Sequence, residues 1–185
     1  MGDAIRLSLP LKREDVKKLR AGDRVLLTGM MLTGRDAAHK RLHELAQEGK
    51  DLPISIQDQT IFYVGPTPAP PGRPIGAAGP TTSSRMDKYT PLLLDKGLLG
   101  MVGKGLRSQE VRDAIVRNGA VYFGATGGSG ALLSKCIKSS EVVAYPELGT
   151  EAIRMIGVED FPVIVIIDAV GNDLYEIGPR QYARG

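Results

Sequence analysis

From Ala4 to Ile177 the chain alternates short, β-prone apolar runs with charged segments of helical period, and Gly or Pro stands at almost every junction. That alternation restricts the fold more than any other feature, because strands and helices that take turns along a chain pack as an α/β structure. The strand signals are Ala4 to Leu9, Arg24 to Leu32, Gln59 to Gly65, Leu99 to Val102, Ala120 to Gly124, Glu141 to Tyr145 and Phe161 to Asp168. The helix signals are Lys12 to Leu19, Thr33 to Leu45, Thr82 to Lys96, Ser108 to Asn118, Gly130 to Lys135 and Glu151 to Ile156. Thr33 with Asp36 three residues on predicts a capping-box-like start. Ser108 and Gly119 predict a capped helix with a glycine stop. Pro91 predicts a kink or break in the third helix, and Gly171-Asn172 predicts a closing antiparallel hairpin with Leu174 to Ile177 as its return strand. A mixed sheet flanked by helices follows. No linker or internal repeat divides the 185 residues, so a single domain over 1–185 is expected.

Composition excludes several functions. A net charge of +3 without a basic run, and no Trp, argue against a nucleic-acid surface. The longest apolar run, Val163 to Ile167, is far too short to cross a bilayer. With no secretion signal at Met1 to Pro10, a cytoplasmic protein is expected. The one cysteine, Cys136, rules out an internal disulfide and a cysteine-based metal site.

Motif tests narrow the rest. Gly124-Ala125-Thr126-Gly127-Gly128-Ser129-Gly130 follows a strand and opens a helix, but it lacks the dinucleotide spacing. Around Lys104, Leu98 and Gly105 occupy the positions a phosphate loop gives to Gly and Ser or Thr. His39 and His43 are one helical turn apart, yet the neighbouring Lys40 and Arg41 disfavour a metal. No metal ligand is assigned.

One stretch resists a purely structural reading. Six prolines between Pro66 and Pro80 deliver the chain to Thr81-Thr82-Ser83-Ser84, four consecutive hydroxyls, with Arg85 just beyond. Such hydroxyls suit a helix N-terminus, and an arginine there suits an anion. Arg35, with His39 one turn later, and Lys104 stand in similar Gly, Ser and Thr settings. Two arginine forks and a lysine make a candidate dicarboxylate pocket. Residue spacing alone stops at an anion-binding α/β protein.

The residues carry a further likeness. Gly79-Pro80-Thr81-Thr82-Ser83-Ser84-Arg85-Met86-Asp87 resembles the signature of class I, iron–sulfur fumarases, in the β subunit or C-terminal half. Gly34-Arg35-Asp36-Ala37-Ala38-His39, Gly103-Lys104-Gly105, Tyr145-Pro146-Glu147-Leu148-Gly149, Val158-Glu159-Asp160-Phe161-Pro162 and Asp168 to Tyr175 match in order. L-tartrate dehydratase β subunits share this architecture. The resemblance implies a swivelling β/β/α domain and reversible hydration of fumarate to L-malate, a step of the tricarboxylic acid cycle. It implies a [4Fe–4S] cluster held by three cysteines of a partner α subunit, in an α2β2 hetro-oligomer that neither nucleic acid nor membrane joins. It places Thr81 as the base for the C3 proton of malate. Arg35, Arg85 and Lys104 become carboxylate contacts, and His39 and Thr82 become supporting residues. Ser83-Ser84 departs from the Ala-Gly of many fused members. The chain alone is expected to be inactive. A tartrate dehydratase β subunit is the near alternative, and a non-catalytic anion-binding or assembly module is the distant one.

Overall fold

The computed structural model describes residues 3–125 and 130–182. Among these residues are seven strands: β1 (Ile5–Leu9), β2 (Arg24–Thr33), β3 (Thr60–Phe62), β4 (Gly100–Gly103), β5 (Val121–Gly124), β6 (Ile137–Ala144) and β7 (Ile153–Ile167). Six α-helices lie between or after them: α1 (Arg13–Val16), α2 (Asp36–Gln47), α3 (Thr90–Asp95), α4 (Gln109–Asn118), α5 (Gly130–Cys136) and α6 (Leu174–Tyr182). The expected mixed sheet flanked by helices is present. No helix among the described residues is long and apolar enough to cross a membrane.

β1 to β5 run parallel in the order of the chain. β7 pairs antiparallel with β5, with β6 and with β2. Because β7 joins both β5 and β2, the strands β2-β3-β4-β5-β7 close into a ring, a device that removes exposed strand edges. The length of β7 makes this closure: Ile153 to Val158 takes β6 on one edge, Ile164 to Ile167 takes β5, and β2 runs along the other edge. The β2–β7 register shifts at Gly29. There φ is +131°, and a side chain would press on the Leu9 carbonyl, so only glycine fits. Val25, Leu27, Phe62, Tyr122, Phe123, Phe161 and Val165 are among the buried side chains of the ring, with Phe62 and Phe161 edge to face at 5.3 Å.

Several local expectations change. Thr33 is not a helix cap. It ends β2, and its hydroxyl accepts the Arg154 amide at 3.2 Å. The segment expected as a helix from Glu151 to Ile156 is a 3-10 turn, Pro146–Glu151, followed by the start of β7. Partners on both edges draw Arg154 and Ile156 into the ladder. The Thr82 to Lys96 helix is two pieces, a 3-10 turn over Ser83–Met86 and then α3, with Pro91 in the first turn of α3, where its missing N–H costs nothing. The closing hairpin is reduced to one antiparallel bridge, Ile167 with Asp173, and the expected return strand Leu174 to Ile177 is helical. The buried Asp168 carboxylate accepts the amides of Val170, Asn172 and Ala21, and Asp173 accepts the Tyr175 amide at 2.9 Å. These bonds turn the chain into α6. Ser108 and Gly119 bound α4 as expected: the Ser108 hydroxyl accepts the Val111 amide and Gly119 is left-handed, φ +62°. Most of the glycine-rich Gly124 to Gly130 stretch lies outside the described residues.

Candidate active site

Parallel strands end together, and in α/β sheets ligands bind outside their carboxyl ends. Here the carboxyl ends of β2, β3 and β4 feed the segments that carry every candidate residue. β2 leads through Gly34 to Arg35 and α2. β3 leads into Tyr63, Val64 and Gly65. β4 leads directly to Lys104. The hydroxyl stretch, arriving from the proline-rich loop, threads between them: the Thr81 amide donates to the Tyr63 carbonyl at 2.7 Å and the Ser83 amide to the Lys104 carbonyl at 2.8 Å. Thr82 and Lys104 form an isolated parallel bridge. Residues distant in sequence are thereby set beside one another by backbone bonds alone.

Each arginine carries an acid. Arg85 is half exposed and grips Asp36 with its fork, Nε to Oδ1 at 3.0 Å and Nη2 to Oδ2 at 2.7 Å. This two-point contact is the geometry in which a guanidinium binds any carboxylate. The Arg35 guanidinium lies against Gly65, where an added Cβ would stand 2.6 Å from Cζ. Arg35 Nε is 3.3 Å from Glu151 Oε1 but has no hydrogen-bond partner although it is buried. Glu151 Oε1 instead accepts the Ala37 amide at 3.2 Å, at the start of α2. Arg35 Nε is thus ion-paired with Glu151 without a hydrogen bond to it. Lys104 and Thr82 are exposed, whereas Thr81 is 9% exposed.

The hydroxyls do not cap. Thr82 precedes the 3-10 turn without a side-chain bond to it. Ser83 is fully buried, its hydroxyl hydrogen-bonded to that of Tyr122 at 2.8 Å. A Cβ at Gly103 would overlap Ser83 Oγ, so glycine before Lys104 makes room for this hydroxyl.

His39 lies beneath the surface, 1% exposed. Its Nδ1 is 2.9 Å from the Arg35 carbonyl. A carbonyl only accepts, so Nδ1 carries the proton and Nε2 is a buried acceptor, unpartnered in the structure. Its ring meets Tyr63 edge on at 5.1 Å. Burial is the main force that lowers its pKa, to about 4, against the hydrogen bond to Arg35. His39 is therefore a neutral prop under the Arg35 backbone. His43 turns to Tyr89 instead, and among the described residues no three acidic, histidine or cysteine side chains gather to hold a metal.

Residue spacing did not reveal the acids Asp36 and Glu151 as partners, nor the buried Arg107, three residues after Lys104. Arg107 Nε donates to Asp87 at 2.7 Å, and Nη2 donates to the Tyr63 hydroxyl at 3.3 Å and the Thr90 hydroxyl at 3.0 Å. Burial opposes its charge, but Tyr63, Asp87 and Tyr122 outweigh burial and hold its pKa above the ordinary arginine value. The available signal was a lone charge between Leu106 and the helix-capping Ser108.

The family model described as "Fumarase C-terminus" matches residues 2–178. The chain is 45% identical over 181 residues to the anaerobic class I fumarate hydratase of Escherichia coli K12, covering 95% of this chain and 33% of that protein. It is 40% identical over 165 residues to fumarate hydratase 2 of Leishmania major, covering 88% of this chain and 29% of that protein. It is also 36% identical over 172 residues to the putative L(+)-tartrate dehydratase subunit beta of Methanocaldococcus jannaschii, covering 90% of this chain and 88% of that protein. The chain spans about a third of the length of the fumarate hydratases it matches.

Proposed function

The chain belongs to the Fumarase C-terminus family, and on that premise we propose that it is the carboxylate-binding part of an iron–sulfur hydro-lyase that interconverts fumarate and L-malate. The observation that carries this reading is the convergence of Arg35, Thr81, Arg85 and Lys104 at the carboxyl ends of β2, β3 and β4. A dicarboxylate offers two planar anions, and Arg85 already holds one carboxylate, that of Asp36, in a fork. Substrate exchanges for Asp36 there. Arg35 Nε, ion-paired with Glu151 but not hydrogen-bonded to it, serves the other carboxylate, and Lys104 adds positive charge at the rim. Thr81, held at its amide by Tyr63, takes the C3 proton as the C2 hydroxyl leaves with its bonding pair, to be released as water on the iron that a partner would supply, and returns the proton during hydration. A threonine hydroxyl is a weak base at neutral pH, so the surrounding cations must favour its ionised form.

The cluster of such an enzyme does not fit this chain. Cys136 is the one cysteine. Its sulfur lies near the backbone carbonyls of Leu132 and Asp160, and burial pushes its thiol up, the reverse of what a thiolate ligand needs. A partner α subunit supplies the iron, and the chain alone is inactive.

The test is reconstitution. Combined anaerobically with an α-type polypeptide carrying a rebuilt cluster, the chain should hydrate fumarate, while neither component alone does so. Hydration by the purified chain without iron, or none by the complex, contradicts the proposal. The tartrate dehydratase relative, most of whose length this chain covers, favours one second reading. Comparing turnover of L-malate and L-tartrate by the same complex separates the two.

A further inference from the structure

We propose that Arg107 is the positioning residue of the anion site, a buried fork that fixes the three segments bearing Thr81, Arg85 and Lys104 relative to one another. The role assigned to those three residues rests on the function proposed above. The Arg107 side chain is 0% exposed. Taking a guanidinium out of water is costly, and replacing a buried ion pair with well-packed apolar side chains of similar volume is often neutral or stabilising. Stability therefore does not explain an arginine here. Its partners do, because each belongs to or hydrogen-bonds a segment that carries a site residue.

The first partner is Tyr63, whose hydroxyl accepts from Arg107 while its carbonyl accepts the Thr81 amide. The second is Asp87, which closes the 3-10 turn of Arg85. Its Oδ1 accepts Arg107 Nε at 2.7 Å and its Oδ2 accepts the Ser108 amide at 2.6 Å. The third tie is through Tyr122. The Arg107 guanidinium lies 4.8 Å from that ring, within cation–π range. The Tyr122 hydroxyl meets Ser83 Oγ and the Gly105 carbonyl, at 2.8 and 2.9 Å. Thr90 completes the set: it accepts from Arg107 and donates to the Met86 carbonyl at 2.9 Å, gripping the same turn from behind. A lysine can supply the charge but not a planar fork that reaches Asp87, Thr90 and Tyr63 together.

Two variants test this. Arg107→Met with Asp87→Asn removes the pair without stranding a charge, and Arg107→Lys keeps the charge without the fork. Hydrogen exchange on the full chain reads the Thr81 and Ser83 amides against amides of the β2–β7 ladder. In both variants we expect Thr81 and Ser83 to exchange at least tenfold faster while the ladder is unchanged. In the assembled hydratase we expect kcat/KM for L-malate to fall at least tenfold. Should the double variant not fold, Arg107→Lys decides by the same comparison. Unchanged exchange at Thr81 and Ser83, or equal acceleration across the ladder, overturns the positioning role. A wild-type complex without hydratase activity overturns the function proposed above instead, and the exchange result still decides the role of Arg107.

Discussion

His39 spends its one donor on the Arg35 carbonyl, and its other nitrogen has no protein partner. Because its pKa falls from 6.5 to about 4 on folding, the unfolded chain binds its proton first. The stability from keeping it neutral is full above pH 6.5 and is lost as pH falls from 6.5 towards 4, on the order of 3 kcal/mol in total. Denaturant unfolding of wild type and His39→Gln at pH 7, 5.5 and 4.5 checks this: the variant should lack that part of the acid slope. Arg85 and Asp36 are too exposed to matter much to folding. Arg85→Ala should cost about 1 kcal/mol or less yet abolish most turnover of the assembled hydratase, and normal turnover would reject its clamp role. Arg35, Arg85 and Lys104 could be nominated from the sequence because glycines and hydroxyls isolate them there. Their acids were not, since Asp36 and Arg85 lie 49 positions apart and an ion pair across such a gap leaves no local pattern.

Local bonds decided which elements could be read in advance. α4 was legible at both ends because a serine cap and a left-handed glycine act within one turn of the helix. Gly119→Ala should cost about 1–2 kcal/mol for the left-handed backbone, with little effect on catalysis, measurable as a shift in thermal midpoint. Gly103→Ala should behave differently. Its Cβ would run into Ser83 and Tyr63, so the segment before Lys104 must move away from the hydroxyl stretch. We expect loss of turnover well beyond the loss of stability, assayed side by side on one preparation. The Glu151 to Ile156 segment and the chain end after Asn172 were misread for opposite reasons. In the first, strand pairing on two edges overrode a short helical pattern. In the second, the carboxylates of Asp168 and Asp173 bent a turn-like sequence into a helix.

At the scale of the molecule, β7 closes the strand ring, and the parallel pairing of β2, β3 and β4 brings their ends to one place. The alternation along the chain announced a mixed sheet, but not that its last strand would bond to the second across more than a hundred residues. Phe161 sits in that β2–β7 ladder, fully buried against Phe62, and Phe161→Ala should cost roughly 3–5 kcal/mol, read as a lowered denaturant midpoint. The central claim is that this closed scaffold presents one site at which cations hold a dicarboxylate while Thr81 moves a proton. Steady-state dehydration of L-malate by the reconstituted complex carrying Thr81→Ala tests it most directly. The account predicts kcat lower by roughly 10²-fold or more with KM nearly unchanged. A kcat equal to that of wild type would contradict it.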